Sequence, residues 1–189
     1  MRERLLKKFF STIVIASREQ ACLFPTILLL LLVSLNLHSN VGGGGSLSYF
    51  SFVGDCGRDV TGGIYPELCV MKSFSPSESF ELKIGATKLR GRENEHYTLA
   101  LTSCKANLIL SPLDKPYFIR YGISVFNIDR GISDHREKGV SGGFVFGLGY
   151  SILKKENFKL NLSINYFKLI GKGGSADAIS LEQSIIYLL

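Results

Sequence analysis

The chain has 189 residues, 46% of them apolar, with 20 Gly, 13 Phe, 8 Tyr and no Trp, which excludes a disordered polyelectrolyte and leaves room for about one domain plus a targeting segment. Its formal net charge is +6, but five of the 22 basic and two of the 16 acidic residues precede residue 40. The remainder then holds 17 basic against 14 acidic residues, and a nucleic-acid partner is not expected.

In chain order, the first feature is a basic stretch (Arg2, Arg4, Lys7, Lys8, Arg18) followed by the apolar run LFPTILLLLLVSLNL from Leu23 to Leu37. A transmembrane helix needs roughly 20 apolar residues, so a run of this length behind positive charge predicts a secretory signal peptide over residues 1–39, helical if retained. The alternative is an uncleaved anchor. The VGGGGS segment over 40–46 is expected to be a flexible link, since no Lys-Ser or Lys-Thr follows to make a phosphate loop.

Beyond it, apolar and polar residues alternate repeatedly with a period of two and never with a convincing period of 3.6. The clearest run is Phe158, Leu160, Leu162, Ile164 and Tyr166 against Lys159, Asn161, Ser163 and Asn165. Strands are predicted near 47–54, 64–74, 80–88, 96–110, 116–127, 143–153, 158–169 and 179–189. Within 96–110 the apolar phase changes between Leu101 and Ala106, which predicts a bulge near Ser103–Lys105. The turns SPSES, SPLDK and KKEN are short. The stretches around DCGRDVTG, RGRENE, IDRGISDHREKGVSG and GKGGSADA are longer, so long loops are expected at one end of a meander and short turns at the other.

Alternation alone fits a soluble barrel with an apolar inside or a membrane barrel with an apolar outside. Two patterns favour the second. The polar phase contains Glu67, Glu81, Lys83, Arg120, Lys159 and Glu182 among many Gly and Ser, as a narrow interior filled by side chains requires. Aromatics lie near the strand ends on the apolar phase, with Phe74, Phe80, Tyr117, Phe158 and Tyr187 at the short turns and Tyr97, Phe144 and Tyr166 toward the loops, as two interfacial girdles would place them. The fold class expected is therefore all-β, an eight-stranded antiparallel up-and-down transmembrane β-barrel over residues 47–189. The six ionisable residues should form a luminal charge network, because buried charges must pair.

Four cysteines occur, with no CxxC and no His at metal-ligand spacing, so no metal site is expected. Of the three that would survive signal cleavage, Cys56 and Cys69 could flank one loop and form a disulfide.

The segments KPYFIRYGISVFN (115–127), GGFVFGLGYSILKKENFKLNLSINYF (142–167) and ISLEQSIIYLL (179–189) resemble the small outer-membrane β-barrel proteins of Gram-negative bacteria, the OmpA/OmpX and opacity-protein-like group. Members of that group usually end in Phe or Trp, read by the insertion machinery, where this chain has Leu189. The resemblance implies export to the outer membrane, contact with its lipids, lipopolysaccharide and insertion machinery, no cofactor, and function carried by four surface loops. The basic loop residues Lys88, Arg90, Arg92, Arg130, Arg136 and Lys138 are candidates for lipopolysaccharide phosphates or a surface ligand.

Two other classes compete. A lipid A acyl hydrolase would need a His-x-Ser pair and an acid on neighbouring strands; the nearest match is His96-Tyr97-Thr98, with Thr in place of Ser, so no catalytic residue is assigned. A periplasmic lipocalin-like binder would need the apolar phase to face inward.

Overall fold

Residues that alternate over 9 to 11 positions cannot bury their apolar face alone, and in lipid any unpaired backbone group costs several kcal/mol, so such strands close on themselves. The computed structural model shows that closure. It describes residues 41–54, 60–91, 97–132, 135–155, 157–171 and 174–188, with the side chains of Tyr97, Ile132, His135 and Arg136 excepted. The strands are β1 (Val41–Val53), β2 (Gly63–Ser73), β3 (Glu78–Arg90), β4 (Tyr97–Leu110), β5 (Tyr117–Ile132), β6 (His135–Lys155), β7 (Phe158–Gly171) and β8 (Gly174–Leu188). Each pairs antiparallel with the next, and β1 pairs with β8 to close the barrel.

The alternation faces the way the apolar phase requires in lipid. On β7, Leu162 and Ile164 are 41% and 59% exposed, while Ser163 and Asn165 between them are 3% and 1% exposed. The same outward set continues through Tyr117, Ile119, Tyr121 and Ile123 on β5, Phe144, Phe146, Leu148 and Tyr150 on β6, and Ile179, Leu181, Ile185 and Tyr187 on β8. This orientation removes the lipocalin-like alternative, whose apolar face would be enclosed.

Four expectations are corrected. The glycine tract is not a link: β1 begins at Val41, and Gly42–Gly45 pair with β2 on one side and β8 on the other. A side chain at Gly44 would run into the Ile185 carbonyl, so this seam closes tightly because the residue has no Cβ. Nor is β4 bulged at Ser103–Lys105; its pairing with β3 and β5 is continuous. Leu99 and Leu101 keep the inward phase, because the lumen is apolar at their level. The one-residue bulge lies in β6, between Ser151 and Leu153.

The third correction concerns the loops. The expected long loop over 128–142 is mostly strand, with β5 running to Ile132 and β6 starting at His135, so long and short connections do not strictly alternate. Beyond the apolar band both faces of a hairpin meet water. Backbone pairing therefore continues there without the period-two pattern that reveals it in sequence. Fourth, Cys69 is a free, buried thiol and forms no disulfide. It lies opposite Gly44, nine residues from Val53 at the far end of β1, or about 30 Å at the usual rise per strand residue. Cys56, like the whole of residues 1–40, lies outside the described residues.

A candidate site in the barrel interior and at its loop-end rim

The interior is layered. Toward the loop end, Phe50, Phe52, Tyr65, Leu89, Leu99, Leu101, Phe126, Ile128, Phe167 and Leu169 pack together, with the rings of Phe50 and Phe126 5.9 Å apart and those of Phe126 and Phe167 6.0 Å apart. Toward the turn end, Cys69, Met71, Ile109, Phe118 and Ile186 form a second apolar layer. Glycines make room for its bulk: a Cβ on Gly149 would collide with the Phe118 ring.

Between these layers lie the charges. Alternation on β2, β3, β5 and β8 points Glu67, Glu81, Lys83, Arg120 and Glu182 inward, and all five are buried. The Arg120 guanidinium donates through Nη1 to Glu182 Oε2 at 3.1 Å and to Asn165 Oδ1 at 3.0 Å, and its Nε stands 3.2 Å from Glu81 Oε2. Lys83 Nζ pairs with Glu182 and stands 3.4 Å from Glu81 Oε1. Asn107 adds a hydrogen bond to Glu81, donating from Nδ2 at 3.1 Å.

One expected member is absent and an unexpected one takes part. Lys159 shares the inward register but lies at the turn end, away from this layer, opposite Lys154 and Ile186. Lys105 supplies the third cation: its Nζ is 2.7 Å from Glu67 Oε1 and sits over the rings of Phe167 and Tyr65, 4.7 and 4.9 Å from their centroids. Its inward direction was hidden in sequence by the apparent phase change in β4. Three acids thus meet three bases, and the described layer is formally neutral.

At the loop-end rim Lys88, Arg90, Arg130 and Lys138 are exposed. Arg130 pairs in register with Glu137, and Lys138 with Asp129, whereas Lys88 stands opposite Ala100 and Arg90 opposite Thr98. Arg92 and His96 lie outside the described residues, as does the side chain of Arg136. The upper girdle is anchored by Tyr166, which donates from its hydroxyl to Asp177 Oδ1 at 2.6 Å, while Lys168 Nζ lies 2.9 Å from the same oxygen. The side chain of Tyr97, expected in the same girdle, lies outside the described residues.

No protein-family model matches the chain, and no curated protein matches it. Solved structures do. Neisserial surface protein A superposes with a TM-score of 0.53 at 12% identity, over 78% of this chain and 96% of its own. Ail, the attachment invasion locus protein of Yersinia pestis, in complex with the heparin analogue sucrose octasulfate, gives 0.52 at 16% identity, over 80% and 97%. The chain has the fold of the eight-stranded outer-membrane β-barrels. AlkL, an outer membrane protein solved in lipid bilayers, is similar at a TM-score of 0.53 and 9% identity, over 80% of this barrel's chain and 90% of its own. The lipid-facing band of the present barrel agrees with such a setting.

Proposed function

We propose that the protein is a sealed outer-membrane barrel, without enzymatic chemistry, that acts through its loop end on phosphate-bearing molecules at the outer leaflet. The observation that carries the reading is the stacking inside the barrel. Six paired ions span the lumen, with apolar side chains packed above and below them. A water path would have to hydrate that layer and part both apolar ones, and paired buried ions resist this because separating them exposes uncompensated charge.

Function then falls to the rim. Outer-membrane barrels direct short turns to the periplasm and extended hairpins outward, which puts the projecting β5–β6 hairpin and the end of β3 on the cell surface. Among the described residues Lys88 and Arg90 face no acid on β4, and they follow the outward Ile84 and Ala86 of β3 toward the loop end, where outer-leaflet phosphates are the expected neighbours. Lipopolysaccharide phosphates fit these cations as ligands, since charge-assisted contacts to phosphate oxygens are the strong ones. Ail's complex with a heparin analogue makes a sulfated glycan the second ligand to test.

Three measurements test this reading. Vesicles carrying the barrel should not leak small ions or sugars, and steady conductance would overturn the sealed lumen. Lipopolysaccharide should co-purify with the native barrel and be reduced severalfold by Lys88→Gln with Arg90→Gln; undiminished recovery would remove these residues from the contact. Unchanged lipid A acyl chains in cells expressing the protein would support the absence of catalysis, and altered chains would overturn it.

A further inference from the structure

Among the outward residues of β8 between Ile179 and Tyr187, one is polar. Glu182 and Ser184 are buried in the lumen at 2% and 1% exposure, so the alternation turns Gln183 between them outward, where it is exposed. It stands four residues from Tyr187 of the turn-end girdle and six from Asp177 at the loop end, which sets it well inside the apolar band. The side chains around it, Leu47 on β1, Leu162 on β7 and Leu181 and Ile185 on its own strand, offer no hydrogen-bond partner. Ser51, outward on β1, donates to the Phe52 carbonyl at 3.3 Å. A short hydroxyl returns to the backbone in this way, whereas a carboxamide on a longer stem stands off the sheet with two N–H donors and an acceptor to satisfy. Hydrocarbon supplies no substitute for those bonds, so an amide left in it costs free energy.

Beside Gln183 the outer surface is low. Gly43 and Gly45 leave this part of β1 without side chains, and a Cβ on Gly43 would meet nothing within 4 Å. Ile185 and Tyr187 on β8 form one wall of the depression and Leu68 and Val70 on β2 the other, all four exposed.

We infer that this β8–β1 face pairs with a second copy of the barrel, with Gln183 of each copy at the centre. Copies inserted the same way round are related by a twofold axis along the membrane normal, which brings each residue to the depth of its counterpart. Gln183 can therefore meet Gln183, and a carboxamide is complementary to itself: each donates an N–H to the other's carbonyl oxygen. Neither a lipid tail nor an apolar partner face supplies that match. The same axis lays β1 of one copy toward β7 of the other, and the glycine floor lets outward leucines of β7 settle beside the pair. Hydrogen bonds between spanning segments favour association in lipid, where apolar contact alone gives no hydrophobic drive. The inference needs the barrel in lipid but neither the sealed lumen nor the rim contact.

The test is sedimentation equilibrium of the protein extracted in its folded form and held in neutrally buoyant detergent micelles, over a range of protein-to-detergent ratios. A reversible monomer–dimer equilibrium is expected. Gln183→Leu should weaken dimerisation severalfold and leave the compact form on unboiled gels intact, since an apolar residue suits this position. Gly43→Leu, which has room in the single barrel, should do the same by filling the floor. Thr102→Val, exposed on β4 across the barrel, should dimerise as the native protein does. Monomers at every ratio would leave the face to lipid tails and overturn the inference. So would dimers that survive Gln183→Leu undiminished, or that Thr102→Val weakens equally. Should Gly43→Leu dimerise as the native protein does, the β8–β1 face is not the contact. Assemblies growing past two copies would mean that the contact does not close on itself, and would overturn the twofold pairing.

Discussion

Arg120 and Glu182 lie 3.1 Å apart on β5 and β8, nearly opposite walls of the barrel, and bridge the lumen where apolar side chains close it above and below. The pair fixes the distance between those walls. Arg120→Met alone leaves Glu182 and Glu81 facing only Lys83, an uncompensated charge in a dry layer. Removing one partner of a buried pair costs about 3–5 kcal/mol, whereas exchanging both for neutral groups of similar size is often close to neutral. Arg120→Met should therefore lower the urea midpoint markedly, and adding Glu182→Gln should restore much of the loss. Equal loss in the single and double variants would show that the ions contribute packing rather than charge balance.

Leu162 and Ser163 are neighbours on β7 with opposite exposures, one in the outward band and the other buried in the lumen. Leu162→Arg places a cation among lipid tails and should cost about 2–4 kcal/mol near the bilayer midplane. Ser163→Ala removes one acceptor from Arg120, 3.2 Å away, which keeps its bonds to Glu182 and Asn165, so a smaller loss of about 1 kcal/mol is expected. Refolding yield into vesicles reads both. Comparable effects at the two positions would contradict an outward apolar face.

Lys105 is held by Glu67 and by two aromatic faces, so its charge has two kinds of partner. Phe167→Leu keeps most of the apolar volume but removes the ring 4.7 Å away; a desolvated cation–π contact is worth about 2 kcal/mol, so a loss of that order beyond packing is expected. In a Lys105→Met, Glu67→Gln background the same substitution should cost less. The double-mutant cycle isolates the coupling, and a coupling near zero would leave only packing.

Lys105 also shows where the sequence stops being readable. On β7 each outward residue is apolar and each inward one polar as far as Tyr166, and there the pattern gives both strand and face. On β4 the lumen itself turns apolar at Leu99 and Leu101, so hydropathy no longer separates inside from outside and a false bulge results. The true bulge at Ile152 falls where Leu153, Lys154 and Lys155 end the alternation. Past Ile128 on β5 the run Asp129, Arg130 and Gly131 carries no apolar phase, and pairing to Ile132 leaves no period to detect. Glu67, Glu81, Lys83, Arg120 and Glu182 were legible as inward charges because each interrupts an apolar phase from the polar side. That Lys159 would stand at the mouth rather than in the layer depends on the height of its strand in the barrel, which alternation does not encode.

The glycine tract supplies the last prediction. Four consecutive glycines have poor strand propensity, so their place in β1 needs a steric reason. Gly44 provides one: it faces inward, and a Cβ there would overlap the Ile185 carbonyl of β8. Gly43 faces outward and a Cβ on it would meet nothing within 4 Å. Gly44→Ala should therefore strain the β1–β8 seam by about 1–3 kcal/mol, as overpacking does, and Gly44→Val should prevent closure in much of the population. Gly43→Ala should be neutral or slightly stabilising, because it reduces the freedom of the unfolded chain at no steric cost. The fraction of barrel that migrates as the compact form before boiling measures closure directly. If Gly43→Ala and Gly44→Ala reduce that fraction equally, the tract is needed for chain flexibility during assembly and not for the close approach of the two strands.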